Sequence, residues 1–170
     1  MKTLLAFLCL ITTSAWADLS THPVFKHYVG TWKASGELKG ENGQITKVVE
    51  EWTGKADGET GFLIEGTRTI NDDTQPFKWT ITYNAGADSF DAVLGGADGA
   101  QTLRFEGNVS TVNLTLELKA VTGSGQSGIT VNESFEGEAK KVILSKVVFT
   151  GDAGQTNLEG TIKHEKQKKP

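Results

Sequence analysis

The sequence predicts an all-β protein, a single up-and-down antiparallel β-barrel of about ten strands with a short N-terminal helical plug. Polar and apolar residues alternate in one segment after another, which is the pattern of strands with one buried face. Clusters of Gly, Asn, Asp and Ser separate these segments, and such residues favour tight turns. With 20 glycines and almost no helical periodicity, the chain is expected to be a meander of hairpins.

Ten segments carry the strand pattern, and only residues 21–28 resemble a helical turn. The predicted strands are 31–39, 45–54, 61–70, 77–84, 88–95, 101–107, 111–120, 128–136, 142–150 and 156–164. The fourth strand has an apolar face made of Phe77, Trp79, Ile81 and Tyr83. The seventh has one made of Val112, Leu114, Leu116 and Leu118. Closing such a sheet into a barrel removes both exposed edges, and a two-sheet sandwich is the alternative.

The first residues have the layout of a secretory signal peptide. Lys2 is followed by an apolar run at 4–11 and an Ala-x-Ala cleavage site at 15–17. The run is too short to span a bilayer. We therefore expect residues 1–17 to be removed and 18–170 to form one domain, exported to the periplasm or secreted, with no membrane anchor after cleavage.

Composition excludes several classes of protein. Cys9, the only cysteine, lies in the predicted signal peptide, so the mature chain has no disulfide and no cysteine metal site. Without Lys2 the chain has 16 basic and 21 acidic residues, a net charge of −5. Nucleic-acid binders normally have the opposite balance, so we expect no nucleic-acid partner. The basic tail at 163–169 is short and is interpreted as a solvated end.

The stretch at 25–32, Phe-Lys-His-Tyr-Val-Gly-Thr-Trp, precedes the first strand. Trp32 has the inward parity of that strand and is expected at the end of the barrel. Gly30 allows a sharp turn before the strand without a side-chain clash. Phe25 and Tyr28 are then predicted to fold over this end, with Trp32 beneath them, as a plug.

Two motifs carry a family resemblance, Phe-x-x-x-x-Gly-x-Trp at 25–32 and Glu-x-Trp at 50–52. With the signal peptide and strand rhythm, they make the chain similar to the lipocalins and wider calycin group. It most resembles a family of exported, mostly bacterial, uncharacterised lipocalin-like barrels. More distantly it resembles the nitrobindin-type haem barrels, which share Gly-x-Trp. The resemblance implies a barrel with an interior ligand. We expect no cofactor, and haem is the alternative that it leaves open.

Three charged residues have inward parity. Arg68 shares a strand face with Phe62 and Ile64, Glu50 lies on the face of Trp52, and Glu133 on that of Phe135. An interior charge must be paired or serve a ligand. Arg68 is therefore a candidate anchor for an anionic head group or a partner of Glu50 in a diagonal ion pair. Core packing is an adequate explanation of the interior aromatic residues, but they are ligand-binding candidates as well: Trp52, Trp79, Tyr83 and Phe135.

The histidines give no metal site. His22 and His27 flank the predicted plug and are expected on the surface. His164 has the inward parity of Ile162 but lies among charged residues near the strand end, so it too is predicted to be a surface residue. No second ligand has metal-site spacing.

The sequence lacks the G-x-S-x-G, H-E-x-x-H and phosphate-loop motifs, and we assign no catalytic residue. We expect the barrel to bind a small apolar or amphipathic molecule. The alternatives are a non-binding structural or interaction barrel and an isomerase or hydrolase that uses Glu50 and Glu133.

Overall fold

The computed structural model describes residues 19–84, 89–96, 102–121, 128–151 and 153–168, which form one short helix and ten strands. The elements are α1 (Phe25–Tyr28), β1 (Gly30–Gly40), β2 (Ile45–Asp57), β3 (Gly61–Ile70), β4 (Asp73–Asn84), β5 (Ser89–Gly96), β6 (Thr102–Ser110), β7 (Thr115–Ala120), β8 (Gly128–Glu136), β9 (Val142–Thr150) and β10 (Thr156–Lys166). The predicted all-β class is confirmed.

The strands form one closed antiparallel barrel in which each strand pairs with its neighbours in sequence. The barrel closes where β1 pairs with β10, from Trp32 opposite Lys166 to Gly40 opposite Leu158. Closure leaves no edge strand in the sheet, which removes the open hydrogen-bonding groups of a flat meander. The barrel, rather than the sandwich, is therefore the fold.

The helix α1 covers one end of the barrel. Phe25, Tyr28 and Trp32 are almost completely buried, and the indole Nε1 of Trp32 donates to the carbonyl of Tyr28 at 3.0 Å. The ring of Phe25 packs 5.6 Å from that of Phe62 and 4.9 Å from that of Phe90, measured between centroids. Aromatic contacts thus join the helix to β3 and β5.

Two glycines let the chain pass from α1 into the barrel. Gly30 has φ +115°, a backbone conformation that L side chains rarely adopt. Gly54, on β2, lies so close to the helix that a Cβ there would be 2.5 Å from the carbonyl oxygen of Tyr28. A side chain at position 54 would push the helix away from the barrel end, and one at position 30 would strain the backbone.

The prediction of a strand over 111–120 is wrong in its first half. Strand β6 continues to Ser110, and residues 111–114 form the turn into β7. Leu114 has φ +51°, Val112 is 90% exposed, and the amide of Asn113 donates to Ser110 Oγ at 3.2 Å. Val112 and Leu114, which have the spacing of a strand face, therefore belong to a turn. Alternation of apolar residues alone does not distinguish such a turn from a strand.

Some predictions fall outside the described residues. These are the signal peptide at 1–17 and three of the residue clusters that separate the predicted strands, at 85–86, 98–99 and 123–125. Among the residues that the structure describes, no helix is long and apolar enough to cross a membrane.

Candidate functional site in the barrel interior

The interior contains a cavity of about 260 Å³ with mainly apolar walls. Near α1 the barrel is filled by aromatic side chains such as Phe62, at the start of β3. Ile70, at the other end of β3, and Leu103 line the cavity and are 45% and 44% exposed. The cavity is therefore closed beneath the helix and reaches solvent at the opposite end.

Glu50 and Arg68 form an ion pair in the cavity wall. They lie directly opposite each other on β2 and β3, so the pair is not diagonal as predicted. Arg68 Nε donates to Glu50 Oε1 at 2.5 Å, and the guanidinium carbon lies 4.7 Å from the centroid of the Phe77 ring. The Glu50 side chain is 5% exposed and that of Arg68 is 27% exposed. An anchoring role of Arg68 towards a ligand stays a prediction.

Glu133 is held by two hydroxyl groups. Ser145 lies opposite it on β9 and donates to Glu133 Oε1, while Tyr28 donates to Oε2, both at 2.5 Å. Burial, and then the adjacent Glu133 carboxylate, raise the pKa of Tyr28 well above its usual value. Tyr28 therefore remains a hydrogen-bond donor, and it ties the plug helix to β8.

His164 connects these groups through hydrogen bonds of fixed direction. The indole Nε1 of Trp52 is only a donor, so Nδ1 of His164 accepts from it at 3.0 Å. The ring proton must then lie on Nε2, which contacts Ser145 Oγ at 2.9 Å and donates to it. Ser145 gives its own proton to Glu133. His164 is therefore neutral in this arrangement.

A small residue keeps the two parts of the network close. His164, Ala34 and Glu50 lie in one row across β10, β1 and β2. The methyl group of the buried Ala34 leaves room between its neighbours, so that His164 Nδ1 lies 4.0 Å from Glu50 Oε2. A larger side chain at position 34 would separate the imidazole from the Glu50–Arg68 pair.

The prediction of a surface location for His164 is wrong, because it is 5% exposed. Strand β10 continues to Lys166, and the charged residues that suggested solvent lie on its outer face. Lys163 and Glu165 form an exposed ion pair there at 2.6 Å. The alternation of the strand therefore persists to its end and points His164 inward.

The surface prediction for His22 is also wrong. His22 is 2% exposed, packs against the Phe25 and Phe90 rings, and accepts a hydrogen bond at Nδ1 from the amide of Val24. Burial lowers its pKa. His27 is half-buried, and burial together with three nearby lysines lowers its pKa also.

Only two of the four aromatic residues predicted to bind a ligand line the cavity. Trp52 and Trp79 line it, whereas Tyr83 and Phe135 lie outside the lining. Tyr83 packs 5.1 Å from the Phe90 ring and Phe135 packs 4.8 Å from the Tyr28 ring. These two residues therefore belong to the packing under the plug.

Sequence reasoning missed Ser145, although a signal was present. Ser145 shares the inward face of β9 with Ile143 and Val147, and a polar residue on an apolar face was the criterion that selected Arg68. Because its hydroxyl proton is donated to Glu133, Ser145 does not form a nucleophilic dyad with His164. The described residues contain no group of three or more His, Cys, Asp or Glu side chains arranged to hold a metal ion.

Two solved structures have similar barrels. The S-type phycobiliprotein lyase CPES from Guillardia theta superposes with a TM-score of 0.63 at 8% identity, covering 86% of this chain and 92% of the lyase. Rv2717c from M. tuberculosis gives 0.60 at 13% identity, with 84% and 94% covered. The protein has a lipocalin-like barrel fold. No protein-family model matches the sequence, and no curated protein does so.

Proposed function

We propose that this lipocalin-like barrel binds a small apolar or amphipathic molecule in its interior, and that it does so after export. The observation that carries the proposal is the cavity of about 260 Å³, which has apolar walls and one cluster of polar groups. Ligand sites are typically apolar clefts of about 300–1,000 Å³ with a few convergent polar groups. The cavity is slightly smaller than the lower limit of this range, which favours a small ligand.

Burial of the ligand supplies the driving force. Each methylene group removed from water contributes about 0.8 kcal/mol, so an eight-carbon chain gains about 6 kcal/mol before the costs of association. Because the walls are already in place, little ordering of the protein is needed on binding. We expect affinities in the micromolar to millimolar range for such simple chains.

The competing functions receive less support from the site. A structural barrel would be expected to fill its interior with side chains, whereas this one leaves a cavity that reaches solvent at Ile70 and Leu103. An acid–base enzyme needs an available carboxylate. The carboxylate pair suggested for such chemistry, Glu50 with Glu133, is incomplete here, because Arg68 engages Glu50.

We also propose that binding needs no haem. A haem iron needs an available ligand atom, and both ring nitrogens of His164 are engaged, one by Trp52 and one by Ser145. A haem titration should therefore give no saturable Soret shift. A shift that disappears in His164→Ala would contradict this part of the proposal.

A pair of tryptophan substitutions tests the binding proposal. Val131 lines the cavity from β8, while Asn132, the next residue, is exposed on the outer surface. Calorimetric titration with 1-octanol should show saturable binding to the wild type and to Asn132→Trp. Val131→Trp places an indole in the cavity and should abolish it. Unchanged binding in a folded Val131→Trp variant, or none in the wild type, would exclude the cavity as the site.

A further inference from the structure

More negative than positive charges face the cavity. Of the described residues that line it, five are titratable: Tyr28, Glu50, Arg68, Glu133 and His164. Tyr28 and His164 are neutral, as their hydrogen bonds show. Two carboxylates therefore face one guanidinium, and the cavity wall has a net charge of −1.

The uncompensated charge belongs to Glu133. Arg68 is paired with Glu50 through a 2.5 Å hydrogen bond, whereas the hydrogen-bond partners of Glu133 that the structure describes are the uncharged hydroxyls of Tyr28 and Ser145. A carboxylate has about four acceptor positions. Glu133 thus has acceptor capacity left, and it is partly exposed and lines the cavity.

The aromatic side chains that line the same cavity suit a cation. Trp79 and Phe105 line the cavity, with ring centroids 4.9 Å apart, and cations are attracted to aromatic faces, most strongly to that of Trp. Arg68 already stacks on Phe77 in the same cavity. An anionic ligand at Arg68 would instead lie beside the Glu50 carboxylate and bring the interior to two uncompensated negative charges.

We propose that the cavity selects an amphiphile with a cationic head, an amine on an apolar body, bound by the carboxylate of Glu133 among aromatic walls. This inference rests on the proposed function, since it assigns the charge of the ligand whose apolar part fills the barrel. It makes fatty acids poor ligands. The selection is electrostatic, so it weakens as salt concentration rises.

Three probes of equal chain length test the charge alone: octylammonium, 1-octanol and octanoate, titrated at pH 7 by calorimetry. In the wild type we expect octylammonium to bind about tenfold more tightly than octanol, and octanoate about tenfold more weakly, as one desolvated charge contact predicts. Equal affinities, or tighter binding of octanoate, would overturn the charge assignment while leaving the proposed function intact. If none of the three binds, both proposals fail.

Separate substitutions test whether Glu133 is the residue that binds the cationic head. Glu133→Gln keeps the shape and removes the charge, so the preference for octylammonium over octanol should disappear, whereas Glu136→Gln, exposed on the same strand, should keep it. Persistence of the preference in Glu133→Gln would refute the role of Glu133. Should that variant not fold, Tyr28→Phe leaves the carboxylate in place with one donor fewer, and the preference must then be retained or increased. Its loss in Tyr28→Phe would also count against the proposal.

Discussion

Trp52 donates its indole N–H to Nδ1 of His164 over 3.0 Å, across 112 residues of sequence. This bond determines which nitrogen of the His164 ring has the proton. An Nδ1 that accepts a hydrogen bond has no proton, so the proton of the neutral ring lies on Nε2. The donor chain then runs in one direction, from the indole through the imidazole and Ser145 to the carboxylate of Glu133. The polar cluster is thus ordered before any ligand enters.

The first prediction concerns Ser145, which is 2% exposed. Ser145→Ala leaves the Nε2 proton of His164 without an acceptor and removes one donor from Glu133. An unsatisfied buried polar group costs about 1–3 kcal/mol, and we expect that loss in the free energy of unfolding by urea. Ser35→Ala, on the exposed face of β1, is the matched control and should change it by less than about 0.5 kcal/mol. Equal stabilities of the two variants would show that the network contributes nothing.

Strand alternation predicts much of this interior but not its connections. It places Arg68, Glu50 and Glu133 inside, because parity along a strand is a local property of the sequence. It does not indicate that Tyr28 reaches Glu133, 105 residues away, since that contact depends on how α1 lies on the barrel end. His164 was misassigned for the opposite reason, because its charged neighbours on the outer face outweighed the parity signal.

The second prediction concerns pH. Burial lowers the pKa of His22 in the folded state, whereas the unfolded chain should titrate near the ordinary value of about 6.5. The unfolded state therefore binds the proton first as the pH falls, and stability decreases below about pH 6.5. His27 acts in the same direction. The urea concentration at the unfolding midpoint should decrease as the pH is lowered from about 7.5 to about 5.5. The decrease should be steeper in the wild type than in His22→Asn. Parallel profiles would assign the effect to other groups.

The third prediction concerns the plug. Trp32 is completely buried, stacks on Trp52 at 5.3 Å and holds the helix through the carbonyl of Tyr28. Trp32→Ala should lower the free energy of unfolding by about 3–5 kcal/mol, the range for large buried aromatic residues. Thr31→Ala, exposed one residue earlier, should lie near the wild type. A denaturation midpoint unchanged by Trp32→Ala would refute the role of the tryptophan in closing the barrel.

The fourth prediction concerns processing. The Ala-x-Ala sequence at 15–17 suits signal peptidase, so protein recovered from the periplasm or medium should begin at Asp18. Edman sequencing or intact-mass measurement decides this. Replacing Ala15 and Ala17 by bulky residues should block cleavage. An exported form that retains Met1, or that has a lipid on Cys9, would contradict it.

The fifth prediction concerns the Glu50–Arg68 pair, whose carboxylate is 5% exposed. Arg68→Met leaves that carboxylate without its cation, and breaking a buried pair costs about 3–5 kcal/mol. Because Arg68 itself is 27% exposed, we expect a loss of about 3 kcal/mol, at the lower limit of that range. Lys33→Met breaks an exposed pair with Glu51 and should cost less than about 1 kcal/mol.

Adding Glu50→Gln to Arg68→Met should restore most of the stability, because the buried carboxylate that lost its cation is then uncharged. If the double variant is as unstable as Arg68→Met alone, the loss comes from packing against Phe77 rather than from the charge.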